Sequence, residues 1–157
     1  MTQIKSYTDI EQSKRLTEIL PIGSADMYYQ YVLPKSDKIK LNPEMGNPVN
    51  AVNWYNKGYT TYGKESVTLD EYCIPCWSLD ALLETMPQSI TKYIESERCQ
   101  KTFHLNLFRS YYHCCSYSFV SSVSDDEGNN TLYCIGRDNW IDACYEMIVK
   151  LNELKLL

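Results

Sequence analysis

The segment Asp138-Asn139-Trp140-Ile141-Asp142-Ala143-Cys144-Tyr145-Glu146-Met147-Ile148-Val149-Lys150-Leu151-Asn152-Glu153-Leu154 decides the fold. Trp140, Ile141, Cys144, Met147, Ile148, Leu151 and Leu154 recur at helical spacing and form one apolar stripe. Asp142, Glu146, Lys150 and Glu153 fall largely outside it. Asp138 or Asn139 is placed to cap the first turn, because a short side-chain oxygen accepts an otherwise unpaired amide hydrogen. A stripe this apolar has to be covered, so a sheet is expected beneath it.

The sequence just upstream supplies that sheet. Leu132 to Ile135 reads as the strand feeding the helix, after a polar loop from Ser121 to Asn130. Phe103, Leu105 and Leu107 alternate with His104 and Asn106, the mark of a half-buried strand. Phe103 to Phe119 is too long for one ordinary strand, so a turn is expected near Arg109-Ser110, with Tyr112 to Phe119 as the partner. The second half therefore reads as a three-strand meander with the C-terminal helix lying across it.

The first half is less regular. Thr8-Asp9-Ile10-Glu11 has capping-box spacing and predicts a helix to about Leu20. Ala25 to Leu33 predicts a strand, ended by Pro34. Lys35 to Asn50 reads as a long loop, the kind that is functional or disordered. Asn53 to Tyr62 resumes aromatic strand character, and Tyr72 to Pro75 is a short extended lead-in. Trp77 to Met86 predicts a helix, with Ser78 as its cap and Leu79, Leu82, Leu83 and Met86 as its stripe. The fold class expected is α+β: a mostly antiparallel, Tyr-rich sheet packed with about three helices, in one domain over residues 1–157.

Charge excludes several functions. The chain carries 15 Lys+Arg against 20 Asp+Glu, a formal charge of -5. Lys35, Lys38 and Lys40 are the only basic cluster, so neither a duplex nucleic-acid footprint nor an anionic membrane surface is expected. Met1 to Tyr7 has no apolar signal-peptide core, and no run reaches membrane-spanning length. Seven cysteines with no sign of export read as reduced thiols in a cytoplasm.

Each candidate chemistry lacks a part. Cys73-Ile74-Pro75-Cys76 and His113-Cys114-Cys115 do not complete a zinc set, which needs four ligands in tetrahedral array. Adjacent Cys114 and Cys115 leave a strand on opposite faces. The Cys73–Cys76 pair lacks the βαβ context of a redox motif. Only two histidines are present, His104 and His113, and neither shows a nucleophile at a motif spacing. Phosphate-cradling loops, a zinc-protease helix and a calcium loop are all absent. No catalytic residue, metal or cofactor is expected.

Fourteen tyrosines suit a half-exposed sheet with Tyr on both faces or, on a sharper reading, a binding surface. Trp54, Tyr55, Lys57, Tyr59 and Tyr62 combine rigid aromatic area with a positive charge, the profile of interface anchors. The alternative is that these rings only cover the sheet. A phosphate-binding site would place Arg or Lys beside aromatic rings, and Arg109, Arg137, Lys57 and Lys64 near Tyr111, Tyr112, Tyr59 and Tyr62 are the candidates.

Two stretches carry a resemblance. Ile74-Pro75-Cys76-Trp77-Ser78-Leu79 with Leu82-Leu83 and Pro87, and Ile141-Asp142-Ala143-Cys144-Tyr145-Glu146-Met147-Ile148 with Lys150-Leu151 and Glu153-Leu154, resemble a group of small uncharacterised proteins of phages and prophages of gut bacteria. Tyr7 to Ala25 is similar to the same group. The resemblance covers about half of the chain and brings no functional residue with it. It implies a protein made in the cytoplasm of a bacterial host cell and acting by binding. One such role is inhibition of a host (defence) protein. Another is a sponge for a small signalling nucleotide at an oligomer interface, which would make the chain a homo-oligomer. A third is a structural or accessory phage protein.

Overall fold

A computed structural model of the chain describes residues 5–31, 39–41, 59–62, 65–68, 73–119 and 131–157. The fold is α+β. Among the described residues there are three α-helices, all sheets are antiparallel, and no helix is long and apolar enough to cross a membrane. The chain divides into two compact units, Ser6–Thr85 and Met86–Leu157, the latter joined by Met1–Lys5.

In the first unit, helix α1 (Ile10–Thr17) leads through a short 3-10 turn (Ile22–Ser24) into strand β1 (Met27–Tyr31). β1 is the centre of a three-stranded sheet, flanked by β2 (Ile39–Leu41) and β5 (Cys73–Cys76). A separate hairpin pairs β3 (Tyr59–Tyr62) with β4 (Glu65–Thr68). Helix α2 (Leu79–Thr85) follows β5, and Ser78 Oγ accepts the Ala81 amide hydrogen, as its cap. β2 lies inside the segment expected to be a long loop. The rest of that segment lies outside the described residues.

Thr8 occupies the middle of this unit rather than the helix cap. The capping box is one residue further on: Asp9 accepts from the Gln12 amide at 2.9 Å, and Gln12 Oε1 accepts from the Asp9 amide at 3.2 Å. Thr8 is fully buried. Its hydroxyl lies 2.8 Å from Ser13 Oγ and accepts the Trp77 amide at 3.1 Å. Its carbonyl accepts the Tyr29 hydroxyl at 2.7 Å and the Cys76 thiol at 3.4 Å. A buried backbone and a buried hydroxyl must both find partners, and one threonine here satisfies groups from α1, β1 and β5. Tyr28 and Tyr29 are both buried, so β1 is packed on two faces and does not alternate.

The second unit is a meander of four strands in sequence order: β6 (Ser89–Ile94), β7 (Cys99–Arg109), β8 (His113–Ser118) and β9 (Thr131–Arg137). β6 is a fourth strand ahead of the three expected. Helix α3 (Trp140–Glu153) lies on β8 and β9. Asn139 caps it, accepting the Asp142 amide at 2.9 Å. Ile141, Cys144, Met147, Ile148 and Leu151 of the anticipated stripe are buried, and Ala143 is buried beside them, while the two ends of the stripe, Trp140 and Leu154, are not. Covering such side chains contributes about 1.5–3 kcal/mol each for the larger ones. Lys5 donates to Asp142 at 2.6 Å, tying the start of the chain to the first turn of α3.

Candidate functional site

The feature that stands out from this scaffold is the β7–β8 hairpin. β7 is longer than its neighbour: β6 pairs with it only as far as His104. One further bond, from the Leu105 amide to the Gln88 carbonyl at 3.0 Å, closes the ladder. In an antiparallel strand alternate residues send both backbone groups to the same side. The N–H and C=O of Leu107 and Arg109 therefore face the side that β6 has vacated. Among the described residues nothing pairs with them.

The side chains on this projection are large and open. Leu107 is 36% exposed, Phe108 46%, Tyr112 55% and Tyr111 99%. An isolated exposed ring is ordinary, but several large apolar side chains exposed along one hairpin make it the candidate for an interaction surface. The hairpin is also well held. The Ser110 amide donates to the Tyr112 carbonyl at 3.0 Å, and the Cys114 thiol donates to that carbonyl at 3.7 Å. Gly136 on β9 leaves room for Tyr112: a Cβ there would lie 3.2 Å from Tyr112 Cβ.

Strand register adds charge at the same end. Arg109 pairs with His113, and His113 with Arg137, so these three form one row across β7, β8 and β9. His113 stands edge-on to Trp140, the ring centroids 4.9 Å apart. Arg137 Nε donates to Glu146 Oε1 at 2.5 Å, and a second guanidinium nitrogen donates to Oε2. These hydrogen bonds raise the Arg137 pKa above its ordinary value. Arg109 is exposed and makes no hydrogen bond or ion pair with the described residues.

Cys76, Cys114, Cys115 and Cys144 are buried, while Cys134 is exposed. Cys115 is fully buried, and its pKa is raised by its hydrogen bond with Cys144 and by burial. Cys114, on the other face of β8, is in hydrogen-bond contact with Cys134, whose thiol is pushed up by burial and by Cys114. Cys73 and Cys76 lie within strand β5 rather than at a helix N-terminus. Burial pushes the Cys76 thiol up to about 11. Among the described residues no group of three or more His, Cys, Asp or Glu is placed to hold a metal. Neither histidine ring makes a side-chain hydrogen bond there, so no base is seen oriented toward a nucleophile. A cavity of about 180 Å³ lies between Ile94, Phe103 and Leu132, beside the Lys101–Glu97 ion pair. That is smaller than ligand pockets usually are.

Of the residues singled out for binding, Trp54, Tyr55 and Lys57 lie outside the described residues. Tyr59 and Tyr62 lie at the two ends of β3, paired with Thr68 and Glu65, and their side chains lie outside the described set. Lys64 and the acidic loop from Asp125 to Asn130 are likewise outside it. Of those considered for a phosphate, Arg109, Tyr111 and Tyr112 lie on the β7–β8 hairpin, and Arg137 lies in the same row on β9. Leu107 and Phe108 were missed as surface residues, because alternation alone assigned Leu107 to a buried face. No family model, curated protein or solved structure matches the chain.

Proposed function

We propose that the chain is a non-enzymatic binding protein that engages a protein partner through the β7–β8 hairpin. The observation that carries this reading is the exposure of Leu107, Phe108, Tyr111 and Tyr112 on a hairpin whose strand β7 runs on beyond β6. Rigid aromatic side chains give large contact area at low entropy cost. The resemblance to phage and prophage proteins supplies the context: a mobile-element protein in the host cytoplasm, with a host protein, such as a defence protein, as its target.

The nucleotide-sponge reading is weaker for a specific reason. Of the cations considered for a phosphate, Arg137 is already taken by Glu146. A phosphate would have to displace a carboxylate that holds two of its hydrogen bonds.

The test is affinity purification from host cells with Tyr111→Ala and Phe108→Ala beside the native chain. Both positions are exposed, so melting temperatures should stay close to native while a stoichiometric protein partner is lost. A partner retained by both variants, or a co-purifying nucleotide in place of any protein, would overturn the proposal.

A further inference from the structure

We infer that the outer edge of β7 binds an extended peptide segment as an added strand, and that this segment carries an acidic residue opposite Arg109. The inference rests on the binding reading above and goes on to name the mode and chemistry of the partner.

Three observations converge on it. The N–H and C=O groups of Leu107 and Arg109 point away from β8, on the side where the Leu105 amide makes the last bond to Gln88. Edge groups like these, with no partner among the described residues, are the template for strand addition. The side chains on either face of that edge, Leu107 and Phe108, are exposed and apolar, so an added strand gains side-chain burial as well as main-chain bonds. The third observation is charge. Arg109 has no carboxylate partner among the described residues, the chain's net charge is -5, and cross-strand opposite-charge pairs are favourable.

Strand periodicity then fixes the pattern the partner must carry. Leu107 and Arg109 lie on one face and Phe108 on the other. The segment needs an apolar and an acidic residue two positions apart, with an aromatic or β-branched residue between them. A second copy of this chain fits less well. It would bring the same uncompensated arginine and the same net charge to the edge. The edge from Leu105 to Arg109 is also short for a dimer interface, which typically buries about 800 Å² per partner.

The test uses a displayed library of random ten-residue peptides selected on the full chain, followed by synthetic copies of the enriched peptides. Enrichment of the apolar–aromatic–acidic pattern is expected. Leu107→Pro removes one outward N–H, a change edge strands tolerate, and should weaken binding roughly tenfold or more, as for the loss of a main-chain bond and its contacts. Arg109→Glu should do the same and shift selection toward basic peptides. N-methylation of the peptide, one amide at a time, needs no change in the protein and should weaken binding at alternate positions only. Peptides that lose binding to Tyr111→Ala and Phe108→Ala yet ignore Leu107→Pro and N-methylation would overturn strand addition and leave the binding surface standing. The absence of any enriched peptide sensitive to the hairpin variants would overturn both. Dimerisation of the native chain that Leu107→Pro abolishes would assign the edge to a second copy and overturn the peptide.

Discussion

The Tyr117 hydroxyl donates to the Pro87 carbonyl at 2.6 Å, a bond between groups thirty residues apart in the chain. Tyr117 is fully buried on β8, so the bond fastens the centre of the meander to the turn that precedes its first strand. Tyr117→Phe keeps the ring and leaves that carbonyl without its donor. The expected cost is about 1–3 kcal/mol, read as a lower denaturant midpoint with an unchanged slope.

Thr8 makes a comparable case in the other unit. Thr8→Val keeps the shape of the side chain and removes the acceptor of the Trp77 amide and the partner of Ser13. A buried amide left unpaired costs about 1–3 kcal/mol. Thr8→Ser, which restores the hydroxyl, should recover most of that loss in the same unfolding measurement. Destabilisation by Thr8→Ser with Thr8→Val near native would show that the methyl group, not the hydroxyl, matters.

Met147 is fully buried on α3. Met147→Asp places an unpaired carboxylate there, at a cost of several kcal/mol against a total stability of roughly 5–15. Loss of the cooperative melting transition is expected. An unchanged melting curve would remove α3 from the core.

Alkaline pH should weaken the fold. The Cys76 thiol is pushed from 9.0 up to about 11, mainly by burial. The folded state therefore favours the protonated thiol. Its contribution is complete below about pH 9, where the unfolded thiol titrates, and fades as pH rises toward about 11. Burial raises the Tyr29 and Tyr117 hydroxyls in the same direction. Melting temperature should be flat with respect to this group at neutral pH and fall through that window, with a shallower fall in Cys76→Ala. An identical slope in the variant would rule out the thiol as a contributor.

The fold was legible where period and burial agree. The stripe of α3 and the turn after Arg109 are written in side-chain spacing, whereas the alternation of β7 finds the strand but misplaces Leu107, which is exposed. β6 was not legible: in Ser89-Ile90-Thr91-Lys92-Tyr93-Ile94 only Ile90 is buried, so an edge strand left no alternating pattern. β2 is three residues long inside a polar stretch, too short to make a periodicity. The shift of the capping box from Thr8 to Asp9 reflects competition between two good capping residues, decided by the tertiary partners that draw Thr8 inward. At the hairpin, the residue types were visible but their row was not. Arg109, His113 and Arg137 become neighbours only through strand register, and the pairing of Arg137 with Glu146 only once α3 lies on the sheet.

The order of the strands has a kinetic consequence. In the second unit every strand pairs with the one made just before it, and α3 lies on the last two. Contacts so close in sequence cost little loop-closure entropy, and chains built from them collapse quickly. In the first unit β1 must pair with β5, joining Gln30 to Cys73, before its central strand is flanked. During synthesis β1 emerges long before its second partner, β5, exists, while each strand of the meander meets its neighbour almost at once. The C-terminal unit should therefore zip shut in the faster phase, although it is translated last. The strand that waits longest for its neighbour is the tyrosine-rich β1, which makes it the segment most in need of protection on the ribosome.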